Sequence, residues 1–215
     1  MNVMAGKRKI AVVGVTGGIG RAVKREAERR GWLVVGTSRM EGAADYLLDC
    51  ADKDGLELAL ARLFTAEGPF DAVAFCAGVC PVKPLSLVDA AALAETFFVD
   101  AAAFVLTMKH FARPGAFAKT GACAVAVSSV SATEGWAGGA LYCAAKGALS
   151  AAARALAAEL APKNIRVVAL EPRHVLTDMF RRCAGRMGVP ESAALPPEKL
   201  AVQILDAIEE VKSEA

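Results

Sequence analysis

Tyr142 and Lys146 form a Tyr-x-x-x-Lys pair at the head of a long Ala-rich stretch, and Ser129 lies thirteen residues upstream of the tyrosine. Residues i and i+4 are neighbours on one helix face, so this spacing sets an ammonium beside a phenol. A free tyrosine titrates at about 10 and is a poor base at neutral pH. A cation beside it favours the phenolate and lowers that value. Such a tyrosine can donate a proton to a carbonyl oxygen or remove one from an alcohol. A serine hydroxyl opposite would hold the same oxygen. Ser129, at the end of an apolar run, has that location, and Ser128 before it is the competing candidate. Tyr-x-x-x-Lys alone is common on helices as a surface pair. Three features set this one apart: a Gly-rich turn near the N-terminus, a Ser-Ser at a strand end, and only 2 tyrosines in the chain.

The Gly-rich turn is Gly14-Val15-Thr16-Gly17-Gly18-Ile19-Gly20, between an apolar run and an amphipathic stretch. Glycines let the backbone turn tightly and approach a pyrophosphate, which the N–H groups and positive dipole end of the next helix then hold. The spacing Gly-x3-Gly-x-Gly differs from the commoner Gly-x-Gly-x-x-Gly, and glycine turns also occur for purely steric reasons. Its strand–turn–helix context points to dinucleotide binding. A site for NAD would carry Asp or Glu about twenty residues further on, to bind the ribose 2′-hydroxyl. Here the segment reads Gly36-Thr37-Ser38-Arg39. A guanidinium with a hydroxyl beside it suits a 2′-phosphate. NADP(H) is therefore the preferred cofactor expected, with NAD(H) as the second one such a turn admits.

Strand-length apolar runs alternate with helical stretches. Strands are expected at 10–13, 32–37, 46–48, 71–76, 122–128 and 165–170. Helices are expected at 18–30, 56–64, 87–111, 140–160 and, after Pro196-Pro197, 198–211. In the first helix Ile19, Ala22, Val23 and Ala27 form the inward face and mixed charges the outward one. Near-continuous apolar strands are those covered on both faces. Their alternation with helices implies a Rossmann-like, doubly wound parallel sheet in a three-layer α/β/α single domain over residues 1–215.

Bulk properties agree. The 215 residues suffice for one substantial core, with 55% hydrophobic and 22% charged residues. A net charge of +2 gives no push toward nucleic acid or an anionic membrane. Lys7-Arg8-Lys9 reads as a solvated lead-in to the first strand. No unbroken run of 18 apolar residues is found, and no secretory h-region precedes the first strand, so a soluble, cytoplasmic protein is expected. The 6 cysteines contain no Cys-x-x-Cys pair and are read as reduced thiols with no metal site.

From about Ile10 to Met179 the chain resembles the short-chain dehydrogenase/reductase family. Gly14, Gly18 and Gly20 match the family's cofactor-turn glycines, and Cys76-Ala77-Gly78 its Asn-Ala-Gly segment. Ser129, Tyr142 and Lys146 match its catalytic Ser, Tyr and Lys. Asp49 resembles its adenine-contacting acid, and Pro172, Val175 and Thr177 the segment bordering the nicotinamide. The resemblance implies that Lys146 also binds the nicotinamide ribose, and that a homodimer or homotetramer forms. Asp100 stands where the family has an asparagine that supports a proton relay. Cys76 replaces Asn and Arg173 replaces Gly. The segment from Arg39 to Asp49 is short for a helix, and the family's usual seventh strand is not seen after Val211.

The leading expectation is an oxidoreductase passing a hydride between NADP(H) and a small carbonyl or alcohol substrate, with Tyr142 as acid/base. The alternative is a cofactor-binding regulatory or scaffold protein of the same fold, motivated by Asp100, Cys76 and Arg173. His110 reads as structural. His174, Trp136 and Leu141 are candidates for the substrate mouth. Residues 179–195, with Arg181, Arg182 and Arg186, read as a substrate lid.

Overall fold

The computed structural model describes residues 7–210. Six parallel strands form one sheet in the order β3-β2-β1-β4-β5-β6. They are β1 Lys9–Val13, β2 Leu33–Ser38, β3 Tyr46–Leu47, β4 Ala72–Phe75, β5 Ala122–Val127 and β6 Ile165–Leu170. The order reverses between β1 and β4, which leaves a crevice beyond their carboxyl ends. The chain thus has the doubly wound α/β fold its sequence implies.

Both sheet faces are covered. On one, α1 (Gly18–Arg29) and α7 (Pro197–Glu209) bury Val23, Ala27, Leu200, Ile204 and Leu205 against Ile10, Val12 and Val125. On the other lie α2 (Leu56–Glu67), α4 (Ala103–Phe111) and α5 (Ala140–Leu160). There Phe64, Phe70, Phe75, Phe104 and Phe111 pack with ring centroids 5.5–5.8 Å apart. Every side chain of β5 is buried, which is why its run is continuously apolar rather than alternating.

The helix expected over 87–111 is divided. A 3₁₀ turn at Leu85–Leu87 stands apart, and α3 (Ala90–Phe97) begins only where the Asp89 carboxylate accepts the Ala92 N–H at 2.7 Å. A π-helical turn, Phe98–Ala102, then joins α3 to α4 and carries Asp100. Such wide turns inside helices re-aim a side chain, and they cluster at functional sites. By length and composition Ala90–Phe111 could cross a membrane. Here its apolarity serves the core, since Phe104, Met108 and Phe111 are fully buried.

Three smaller expectations change. Pro197 does not merely precede the last helix but occupies its first turn, where a missing N–H costs nothing; the expected end at Val211 lies outside the described residues. The segment expected as a lid begins with a helix the pattern did not mark, α6 (Asp178–Met187). Arg8 and Lys9 are only partly solvated. Arg8 lies 4.2 Å over the Trp32 ring and 2.6 Å from Glu209, which also receives Arg30 and the Trp32 indole N–H. Lys9 donates to the Glu67 carbonyl at 2.7 Å. These contacts link residues far apart in the chain and have no local signature.

Backbone packing makes an opposed pair of predictions. A Cβ at Gly20 would lie 2.2 Å from the Gly14 carbonyl oxygen. Gly20→Ala should cost at least about 1–3 kcal/mol in urea unfolding, as overpacked sites do. Gly185, exposed within α6 with nothing near its would-be Cβ, should instead gain about 0.5–1 kcal/mol on substitution by Ala.

Candidate active site

Three segments meet beyond the strand ends. Gly14, after β1, takes φ +83° and lies so close to the segment after β4 that a Cβ would sit 3.0 Å from Ala77 N. Gly17 caps α1 from an extended backbone. Gly18 faces the segment after β6, where a Cβ would lie 2.7 Å from Thr177 Cγ2. Thr177 in turn caps α6 by accepting the Phe180 N–H at 3.2 Å. The glycines are thus fixed by close approach of main chain as well as by any anion the α1 N-terminus would hold.

Thr16 reaches the end of β2, with its hydroxyl 3.2 Å from that of Ser38. Ser38 is buried and also accepts the Met40 N–H at 3.0 Å, so its hydroxyl braces the turn. Arg39 beside it is exposed and has no hydrogen-bond or ion-pair partner among the described residues. Asp49 follows β3, half-buried, and accepts the Ala51 N–H at 2.9 Å. As the short spacing implied, no helix forms between β2 and β3.

A cavity of about 290 Å³ occupies the crevice. Ile19, Ala77, Gly78, Ser129, Tyr142, Lys146, Pro172, Val175 and Thr177 all line it. Sequence positions from 19 to 177 are therefore brought together as expected, whereas Thr16, Arg39 and Asp49 lie outside the cavity. Ser128 and Ser129 are separated by their partners. Ser128 donates to the Lys146 carbonyl at 3.2 Å and sits 2.8 Å from Ser150 Oγ, which donates to Glu171 at 2.7 Å. That hydroxyl ties α5 to the end of β5. Ser129 accepts the Ser131 N–H at 3.1 Å and interacts with the Tyr142 hydroxyl.

Lys146 is 4% exposed, with Nζ 2.8 Å from Asp100 Oδ1 and 3.1 Å from the Val127 carbonyl. Asp100 is fully buried, and its second oxygen accepts the Val79 N–H at 3.0 Å. Gly78 is the only residue type that fits between them, because a Cβ there would be 2.6 Å from Asp100 Oδ1 and 3.2 Å from Lys146 Nζ. Burial works against the Lys146 charge, but Asp100 and Tyr142 outweigh it and keep the ammonium well protonated. The Lys146 Nζ lies 5.6 Å from the Tyr142 ring centroid.

The Tyr142 hydroxyl is held above the ordinary tyrosine range. Burial is the largest cause; Lys146 pulls downward, while Cys80 and Asp100 push up and Ser129 pulls down. The lowering expected from the Tyr-x-x-x-Lys spacing is present as a contribution and is outweighed. The spacing is local, whereas the burial and the carboxylate come from distant segments.

The cavity wall also holds Trp136, His174 and residues of the expected lid, together with one contact that spacing did not reveal. Arg173 makes a two-pronged pair with Glu134 at 2.7 and 2.9 Å. Their opposite charges were visible, but a separation of 39 positions concealed their contact. Met179, Phe180, Met187 and Val189 supply apolar wall. Trp136 and His174 line the cavity, and His174 rests 5.6 Å from the Phe180 ring. Leu141 is 3% exposed and belongs to the core. His110 is buried away from the cavity, 3.6 Å from Glu57. Arg181 pairs with Asp178 and Glu191, and Arg186 donates to the Val82 carbonyl, so neither is a free cation at the mouth.

Comparison with known proteins places this arrangement. Residues 14–204 match the family described as Enoyl-(Acyl carrier protein) reductase. L-xylulose reductase from Mesocricetus auratus is 32% identical over 190 residues, covering 83% of this chain and 75% of that one. Cis-4-hydroxycyclohexanecarboxylate dehydrogenase from Sinomonas cyclohexanicum is 29% identical over 216 residues, covering 87% and 86%. Among solved structures, a short-chain dehydrogenase from Burkholderia cenocepacia in complex with NADP superposes with a TM-score of 0.79 at 21% identity, covering 94% of this chain and 84% of that one. The chain belongs to the short-chain dehydrogenase/reductase family of oxidoreductases.

Proposed function

We propose that the protein transfers a hydride between NADP(H) and a small carbonyl or alcohol substrate, with Tyr142 moving the proton. The observation that carries this is the convergence of Ser129, Tyr142 and Lys146 on one cavity beside the glycine turn. The substrate oxygen would sit between the Ser129 and Tyr142 hydroxyls. Ser129 positions it by hydrogen bonding, and Tyr142 supplies the proton during reduction or accepts it during oxidation. Bound NADP(H) supplies or accepts the hydride.

The residues present suit that cofactor. The α1 N-terminus offers its free N–H groups at Gly18 and Ile19 to a pyrophosphate. Arg39, unpaired at the end of β2, suits a 2′-phosphate, and Asp49 would meet the adenine. Ala77 and Gly78 would border the bound dinucleotide, as would Pro172, Val175 and Thr177 at its nicotinamide end. Lys146 would hold the nicotinamide ribose. NADP stands in the complex with the Burkholderia relative, which supports the same preference here.

The wall favours a small, uncharged substrate. Trp136, Val130, Met179, Phe180 and Met187 are apolar, and the one arginine on the wall, Arg173, is committed to Glu134. The names of the relatives, a ketose reductase and a cyclic hydroxyacid dehydrogenase, fit carbonyl/alcohol chemistry. We take residues 179–195, helix α6 and the turn after it, as the cover over the substrate. The alternative, a cofactor-binding regulator with little turnover, would need the same cofactor site and lose only the chemistry.

Two measurements test this. Tyr142→Phe should abolish turnover, by about 10²-fold or more as loss of a general acid does, while NADPH still quenches protein fluorescence as in the parent. Full turnover in that variant would reject the mechanism; binding without turnover in the parent, on a broad carbonyl panel, would favour the regulator. Arg39→Gln should raise KM for NADPH and leave KM for NADH nearly unchanged. Equal KM values for both cofactors in the parent would remove the Arg39 argument.

A further inference from the structure

Asp100 introduces a full negative charge into the proton-handling cluster. It lies on the π turn Phe98–Ala102, fully buried, with one oxygen 2.8 Å from Lys146 Nζ and the other on the Val79 N–H. Buried charges interact more strongly than exposed ones, because little water screens them. An unaccompanied Lys146 would pull the Tyr142 phenol toward phenolate. Paired at 2.8 Å, its pull on Tyr142 is opposed by the carboxylate, which pushes the other way.

We propose, resting on the function proposed above, that Asp100 is a positioning residue that keeps Tyr142 in its phenol form, so that the site works as a proton donor for carbonyl reduction. Asp100 does not touch the substrate oxygen; it acts through Lys146. The overall equilibrium is unchanged by any residue. What changes is the pH window in which each direction runs, since reduction needs the phenol and oxidation the phenolate.

The other groups around Tyr142 do not undo this. Cys80, from the segment after β4, faces it as a thiol whose own pKa is pushed up by burial and by Cys183 of α6. Ser129, from the end of β5, is neutral and lowers the Tyr142 value. Glu134 and Arg173, further along the wall, neutralise each other at 2.7 Å. Cys76 is a thiol that burial pushes up to about 12, and His174 packs on Phe180. Lys146 and Asp100 are therefore the opposed full charges of the cluster, acting on a tyrosine that burial already holds toward phenol. The charge count gives the sign. With Asp100 ionised, losing the Tyr142 proton takes the trio from neutral to −1; with Asn it goes from +1 to neutral.

The chain has only 2 tyrosines, which makes the test direct. Phenolate absorbs in the near ultraviolet, so a pH titration of the full-length protein reads both, and the same titration of Tyr142→Phe subtracts Tyr46. Circular dichroism at each pH restricts the curve to folded protein. The Tyr142 step in the parent should lie above that of free tyrosine, and in Asp100→Asn it should move to lower pH. A parent step below that of free tyrosine would overturn the proposal without any variant, should Asp100→Asn fail to fold. It would also be overturned if Asp100→Asn left the step in place, or lost its first proton with no phenolate band, which would mean that Lys146 released it.

The same two proteins, assayed with NADPH plus carbonyl and NADP⁺ plus alcohol, should differ in the alkaline rise of oxidation. With cofactor and substrate saturating on both sides, the ratio of oxidation to reduction turnover numbers at fixed pH should increase, by up to about tenfold for each unit the step falls. Unshifted rate profiles beside a shifted titration would refute the directional claim. Since the titration needs no substrate, absence of turnover in the parent would count against the proposed function, and the titration would still decide the role of Asp100.

Discussion

At the carboxyl edge of the sheet, three glycines sit where a Cβ has no room, two against main chain and one against buried side chains, and the arrangement of the site follows from that. Gly14 lies against Ala77, Gly20 over the Gly14 carbonyl, and Gly78 between Asp100 and Lys146. The first joins the segments after β1 and β4, the second closes the turn between β1 and α1, and the third brings the segment after β4 against Asp100 and α5. Because β1 and β4 are neighbours whose connections leave in opposite directions, these segments are the walls of the crevice. Widening any one contact would displace the start of α1 relative to the groups that face the cavity.

The second organising element is electrostatic. Lys146 and Asp100 are both withdrawn from water, and each is tolerated because the other is there. Removing one partner of such a buried pair typically costs about 3–5 kcal/mol, because a lone charge is left behind. The π turn at Phe98–Ala102 is the local price of aiming Asp100 inward from a helix that also supplies core through Phe104 and Met108. Fold stability and proton handling thus share the same two side chains.

Periodicity and spacing revealed much of this. The run 122–128 identified a strand covered on both faces, and Tyr142, Lys146 and Ser129 were legible as parts of one site beside the glycine turn. What escaped were properties created by distant partners. The Tyr–Lys spacing showed the downward pull of Lys146 on Tyr142, but not the burial, Cys80 and Asp100 that outweigh it from distant segments. Ser128 and Ser129 were indistinguishable as a dipeptide; only Ser150 and the Lys146 carbonyl tell them apart. Arg8 read as a solvated charge because Glu209 and Trp32, which claim it, are remote in sequence.

Strand β6 has a neighbour on one side only among the described residues. Its outer rim presents unpaired amide and carbonyl groups over Ile165–Leu170, a sequence rich in β-branched residues. An open rim of this kind is a template onto which a foreign strand can add. The chain carries one defence there: Arg166, within the strand, whose guanidinium reaches the Ala207 carbonyl and the Glu210 carboxylate. A charged side chain in an edge strand discourages unwanted pairing at some expense in packing. The same arginine therefore guards the rim and adds a polar tie to α7, a helix held chiefly by the burial of Leu200, Ile204 and Leu205.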